Sequence, residues 1–394
     1  MARVLFAALA NHGHVYPLMP LALACRDAGD EVVFATGAEF HGMIGPLGLG
    51  VRPVGESIGW GWREALRRHP GLPPTNEREI APRAAEILAQ RVLEDLLPIL
   101  QAERPDLVVY EPYCPAAALA ARLLGIPAAA YIQGRALPKV QAEAIGPRLA
   151  QLWQRYGGVA PPPRWTDDLF LDSWPATLQR TPLVVDLPKR HPIRPVPWHD
   201  PASQVPEWAT GPRPRPLAYL ALSTVFALDD DALSAAVRGL LTLDLDVLAV
   251  VGARDDLDAL RRMSDRIRVE RFVAQAAVLP YADVVVSHGG SGTFLGALAA
   301  GLPQLVLPYG ADQFTNGEDI ERVGGGRCMA PADATAETVA RTVSELLEVA
   351  SYRAVAAGIG AEIATMPAPE ALVPVLHGLA GQATGHAVTS AGRS

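Results

Sequence analysis

Short apolar runs, each followed by residues with helical spacing, recur along this chain. The run Arg3–Ala10 stops at the turn Asn11–Tyr16, apolar positions continue at helical spacing from Pro17 to Ala28, Gly29 ends them, and EVVFAT is the next run. RPDLVVYEP, PAAALAARLLG with its glycine stop, and IPAAAYI repeat the alternation. The second half does so again, with PLAYLALS, the helical DDDALSAAVRGLL, LDVLAVVG, ADVVVSH, the helical GTFLGALAAG and LPQLVLP. A continuous apolar run bounded by turn residues fits a strand buried on both faces, and the intervening helices are the crossovers that parallel strands require. The pattern predicts an α/β protein of two doubly wound parallel-sheet domains.

Proline sets the boundary between them. Residues 157–216 hold 14 of the 36 prolines, which remove amide donors and fix φ, so loop is expected there. The expected layout is a first domain over 1–206, a linker over 207–215, a second domain over 216–380 whose last helix packs back on the first, and a disordered tail over 381–394. All seven tryptophans precede the linker's end, several of them in 56–82 and 135–200, where no strand–helix alternation is evident. They read either as packing for irregular loops or as the lining of a pocket for a large apolar ligand.

Length and composition narrow the classes. A chain of 394 residues, 49% apolar and 19% charged, suits two soluble cores. Its net charge of −8 without a long basic run argues against nucleic acid or an anionic membrane as partner. Cys25, Cys114 and Cys328 are isolated and lack metal-ligand spacing. The N-terminal apolar run is short, has no cleavage-site pattern and reads as a strand, and no stretch suits a membrane span; a cytoplasmic protein is expected.

The chemistry concentrates in residues 284–313, VVVSHGGSGTFLGALAAGLPQLVLPYGADQ. The turn after a buried parallel strand lies at the carboxyl edge of its sheet, where ligands bind in open α/β domains. Gly289, Gly290 and Gly292 permit a tight turn and close approach, and the N–H groups of Ser291, Gly292 and Thr293 open a helix, suited to an anion such as a diphosphate. His288 adds a donor, strongest as the cation. At the other end, AALANHGHVYPLMP puts His12 and His14 after the first strand, and histidine titrates in the range a general base needs.

The order of residues in RFVAQAAVLPYADVVVSHGGSGTFLGALAAGLPQLVLPYGADQFTN, with HGHVYPLMPLALACRDAGDEVVFAT and RPDLVVYEP, resembles the glycosyltransferase family 1 enzymes, and within them the bacterial branch that decorates macrolides, enediynes and aromatic polyketides. The resemblance covers nearly the whole chain. It implies the GT-B fold, two Rossmann-like domains facing a cleft, with the acceptor on the first and a nucleotide sugar on the second. It gives the diphosphate to His288 and the turn Gly290–Thr293, donor-sugar hydroxyls to Asp312 and Gln313, and a nucleotide or phosphate contact to Ser223 and Thr224. Phe272 falls where many relatives stack a tryptophan on the base, Val273 would meet the base edge through its backbone, and the family's proline is Ala274 here. The family pattern of histidine, two residues, proline selects His14 as base, and Glu111 stands where relatives carry an orienting acid, usually aspartate.

One departure bears on the donor. Plant relatives using UDP-sugars carry a glutamate for the ribose hydroxyls eight residues after the histidine; here that position is Gly296, which favours a dTDP-sugar over a UDP-sugar as co-substrate. The run Asp229–Asp231 precedes a helical pattern and reads as its cap and first turn rather than a metal site. The expected activity is an inverting, metal-independent glycosyl transfer to an apolar small-molecule acceptor, without cofactor, by a monomer or homodimer whose domains close on the substrates. Alternatives are a lipid or cell-wall glycan acceptor, a catalytically silent helper protein, or a dinucleotide-dependent oxidoreductase, against which the absence of G-x-G-x-x-G after the first strand counts.

Overall fold

The structure is a computed structural model that describes every residue except 73–76, 136–138, 160–168, 180–188, 204–206, 223–229, 253–256 and 391–394. Ser223, Thr224, Asp229 and Trp165 therefore lie outside the described residues. The chain divides into two compact units, and each contains one wholly parallel sheet.

The first unit holds residues 1–174, the strand near 190 with its flank to Arg194, and the segment from Pro367. Its strands are β1 (Arg3–Ala7), β2 (Glu31–Thr36), β3 (Gly50–Pro53), β4 (Leu107–Tyr110), β5 (Ala128–Ile132), β6 (Leu169–Asp172) and β7 (Arg190–Pro192), in spatial order β3-β2-β1-β4-β5-β6-β7. The central strands are buried almost throughout, which is why they read as unbroken apolar runs. Two helices fill the stretch in which no alternation was evident, Ile58–Arg68 and the long Glu77–Glu103. Trp153 and Trp174 are buried, while Trp60 packs half-buried against the core, so these tryptophans serve packing.

The second unit holds Pro175–Gln179 and Pro195–Met366. Its strands are β8 (Leu217–Ala221), β9 (Asp246–Val250), β10 (Ile267–Glu270), β11 (Val284–Ser287), β12 (Gln304–Val306) and β13 (Gly326–Cys328), in order β10-β9-β8-β11-β12-β13.

Three boundaries differ from expectation. The units divide before Pro195, ahead of the expected linker, whose first residues form the helical turn Glu207–Thr210. Ala209 and Trp208 pack there on the apolar cluster of Leu217, Tyr219 and Leu279, contacts a proline count does not register. The turn expected over Asn11–Tyr16 is helical from His12 to Val15, because Asn11 caps it. The last helix, Pro369–Ser390, runs on through the expected tail, since extending a formed helix costs little once its start is anchored. The anchor lies within the first unit: Leu372, Val373 and Leu376 are buried, and His377 Nε2 meets Asp30 Oδ2 at 2.7 Å.

Candidate functional site

In the first sheet the chain order reverses between β1 and β4, so their carboxyl ends diverge into a crevice. His14 follows β1 there and Glu111 follows β4. Asn11, in extended conformation, accepts the Gly13 N–H on its side-chain oxygen at 2.9 Å and so starts the helical turn that carries His14. His14 Nδ1 stands 3.1 Å from Glu111 Oε1, the histidine side chain 14% exposed and the glutamate wholly buried. The extra methylene of glutamate thus does not cost it contact with the histidine. His12, the other candidate, packs edge-on against Tyr16 and Phe40 instead.

Three further donors hold the carboxylate. Leu9 N donates to Oε1 at 3.3 Å, while Tyr113 N at 2.7 Å and Gln133 Nε2 at 3.1 Å donate to Oε2. Burial pushes the carboxyl upward, but the His14 charge and hydrogen bond, with those of Gln133 and Tyr113, outweigh it and hold Glu111 below its ordinary value. An ionised Glu111 accepts from Nδ1–H and leaves the lone pair of His14 on Nε2, the tautomer a base needs. Gln133 Nε2 lies 3.4 Å from Nδ1, two donors converging on one carboxylate rather than bonded to each other.

In the second sheet the order reverses between β8 and β11, and His288 follows β11. Gly289 has φ +79° and a Cβ there would come 2.5 Å from Val306 Cγ1, so only glycine fits. Gly290 begins the helix Ser291–Ala299 without a side-chain cap, which leaves the first amides to a ligand. A Cβ at Gly290 would lie 2.6 Å from His288 Nε2, so the ring lies against the helix start. Ser291 Oγ donates to Asp312 Oδ2 at 2.5 Å, tying the turn to the loop after β12. In that loop Ala311 has φ +52°, a strained conformation of the kind found at ligand sites. Gln313 is buried with its Oε1 accepting from Tyr309 N and Gly310 N at 2.8 and 3.1 Å, which leaves its Nε2 as the donor end of the amide. Thr293 Oγ1 donates to Gln275 Oε1 at 3.2 Å, Val273 is buried, and Phe272 is 48% exposed.

His288 donates most strongly as a cation, and in the ligand-free protein its surroundings work against that charge. Part of the ring stays open, yet enough protein surrounds it that burial lowers its pKa, opposed by the Ala221 carbonyl and Asp312. Nδ1 lies 3.2 Å from Ala221 O, which only accepts, so Nδ1 carries the proton of the neutral ring. Among the described residues, no three His, Cys, Asp or Glu side chains are placed to hold a metal ion.

Residues 64–213 and 235–379 match the N-terminal and C-terminal domains of the erythromycin biosynthesis protein CIII-like family. The elloramycin glycosyltransferase ElmGT of Streptomyces olivaceus is 31% identical over 391 residues, 95% of this chain and 97% of its own. The chain belongs to this family of glycosyltransferases. The L-demethylnoviosyl transferase of Streptomyces niveus is likewise 31% identical, covering 93% of this chain and 95% of its own. Among solved structures, the glycosyltransferase SsfS6 of Streptomyces sp. SF2575 complexed with thymidine diphosphate aligns with TM-score 0.78 at 26% identity, over 96% of this chain and 99% of that one. Spinosyn forosaminyltransferase SpnP aligns with TM-score 0.78 at 25% identity, over 96% and 99%. The fold of this glycosyltransferase is GT-B, and none of its described helices is long and apolar enough to cross a membrane.

Two residues of the glycosyltransferase's sites escaped the sequence reading. Gln133 stands on the first residue after β5. Asn316, buried in the helix Gln313–Val323, donates to Gly289 O at 2.9 Å and so fixes the glycine turn. Both are polar residues beside apolar runs, and only strand adjacency gives them partners.

Proposed function

We propose that this glycosyltransferase transfers a deoxysugar from a dTDP-linked donor to an apolar natural-product acceptor, with inversion and without a metal ion. The observation that carries the reading is the buried Glu111 beside His14, which leaves His14 Nε2 able to take the proton of an attacking hydroxyl. As that oxygen bonds to the anomeric carbon, the bond from that carbon to the diphosphate oxygen breaks, and a single displacement inverts the centre. A positioned base of this kind contributes roughly 10²–10⁴-fold. The departing diphosphate is met by the uncapped amides of Ser291, Gly292 and Thr293 and by His288, electrostatic stabilisation that needs no metal ion. Asp312 and Gln313 take sugar hydroxyls, and Phe272 and Val273 the base.

Two observations support thymidine over uridine. The SsfS6 structure holds thymidine diphosphate. Gly296 is buried, and a Cβ there would lie 3.1 Å from Leu279 Cδ1, so a longer side chain at that position would crowd Leu279, and the carboxylate that meets ribose hydroxyls in UDP-using relatives is missing. The pathway names of the relatives favour a polyketide-like acceptor over a lipid or cell-wall glycan.

The test is His14→Ala assayed with a panel of dTDP-sugars and aromatic or macrocyclic aglycones. Turnover falls by at least a hundredfold, on the scale of a lost general base, while dTDP binds as before. Collapse of dTDP affinity in that variant, or tighter binding of UDP than dTDP to the wild type, overturns the corresponding half of the reading.

A further inference from the structure

We infer that Gln133 is a positioning residue for the transfer: its side-chain amide fixes the Glu111 carboxylate and, through it, the orientation and tautomer of His14. The inference rests on the reading of His14 as the base.

Topology brings the three together. β1, β4 and β5 are consecutive in the sheet, with Ala7 level with Tyr110 and Tyr110 level with Ala130. Residues just past the ends of these strands therefore share one edge of the sheet, and His14, Glu111 and Gln133 come from the three in turn. Gln133 is only 8% exposed, and its Nε2 lies 3.1 Å from Glu111 Oε2.

The amide's orientation is set by that contact. Turned over, it would bring Oε1 against an ionised carboxylate. As it stands, Oε1 is buried without a hydrogen-bond partner. A buried acceptor left unmatched is unfavourable, so the bond to the charged oxygen is what holds the side chain in place. The 3.4 Å approach of Nε2 to His14 Nδ1 does not compete, because accepting there would require a Nδ1 lone pair facing the Glu111 anion 3.1 Å away.

Glutamate makes such a prop necessary. It has one more torsion than aspartate, and Oε1 must stay on Nδ1 for the base to keep its tautomer. Oε2 is pinned by the Tyr113 amide from its own loop and by Gln133 from the next strand. Without Gln133 only backbone donors remain on the carboxylate besides His14, Leu9 N at 3.3 Å on Oε1 and Tyr113 N at 2.7 Å on Oε2, and Oε2 is held less firmly against rotation about the last side-chain torsion.

The decisive experiment is Gln133→Met, which keeps length and removes the donor, measured alone and with Glu111→Ala. We expect kcat to fall about 10–100-fold, as for other supporting residues behind a catalytic group, with donor KM and dTDP affinity unchanged. In the Glu111→Ala background the same change should cost nothing further, since its action passes through that carboxylate. Wild-type kcat, a loss that multiplies fully with that of Glu111→Ala, or a parallel loss of dTDP affinity overturns the inference. Should Gln133→Met not fold, Gln133→Glu keeps volume and polarity but donates only while the two carboxyls share a proton. Its kcat must then fall with rising pH where the wild type's does not; parallel profiles overturn the inference. His14→Ala run alongside separates the two levels: undiminished turnover there rejects the base itself, whereas an inert Gln133→Met beside an inactive His14→Ala rejects only the positioning role.

Discussion

Binding of dTDP should take up a proton at His288. In the ligand-free protein the ring is neutral, held so by burial, and its proton sits on Nδ1 against Ala221 O at 3.2 Å. Nε2, which lies against the helix start beside Gly290, then faces the anion with a lone pair. Moving the proton to Nε2 would break the Nδ1–H···O=C bond and set two lone pairs together, a cost of about 1–3 kcal/mol. Protonation of Nε2 keeps that bond and adds a charge-assisted one. Between the lowered pKa of the free ring and the raised pKa of the complex, an interval expected to take in pH 7 to 8.5, affinity therefore falls tenfold per pH unit, about 1.4 kcal/mol, or about 2 kcal/mol over those 1.5 units. Terminal phosphates titrate near pH ~6, so the ligand's own protonation does not intrude in that interval. Calorimetric titration in two buffers of different ionisation enthalpy should report close to one proton taken up per dTDP. His288→Gln should weaken binding and flatten the pH dependence. Flat wild-type affinity with no buffer dependence would refute the proton assignment. The ligand-free protein has the opposite sense: with the folded pKa of His288 lowered, the unfolded chain binds more protons, so this contribution to stability is full above the unfolded value near ~6.5 and lost as pH falls below it.

Glu111→Gln should lower kcat about 10²–10⁴-fold with dTDP affinity intact, because one amide oxygen cannot answer the donors that now meet two carboxylate oxygens and Nδ1 loses its anionic acceptor. Its stability should fall by about 1–3 kcal/mol in urea titration, and wild-type kcat would count against the pairing. Gly290→Ala, whose Cβ meets His288 Nε2 at 2.6 Å, should weaken dTDP binding by about tenfold by displacing the ring, and unchanged affinity would count against the ring's place in the site. Gly296→Glu should destabilise by about 1–3 kcal/mol through overpacking on Leu279 without creating a UDP preference, as thermal shift with both nucleotides would show. Activity should survive exhaustive EDTA treatment; loss restored by Mg²⁺ would reject metal independence.

The chain's own pattern determined the central strands, because a strand buried on both faces is written as an apolar run whatever surrounds it. Five strands escaped that reading: β3, β7, β10 and β13 are the edges of their sheets, as Ile267–Glu270 shows with its alternating buried and exposed residues, and β6 is an interior strand of only four residues, LFLD, set in the proline-rich stretch. An edge strand needs little apolar sequence, and its pairing is decided by its neighbour. The glycine turn and its histidine were likewise legible, since a left-handed turn and an uncapped helix start need particular residue types. Which histidine meets a carboxylate was legible only through family resemblance, and its 3.1 Å contact only in the structure. Gln133 and Asn316 were not legible at all. Their hydrogen bonds join segments 22 and 27 residues apart, and only the ordering of parallel strands brings those ends together. The charge of His288 belonged to the same class: its residue type allows a cation, and the protein packed around the ring decides that it waits neutral.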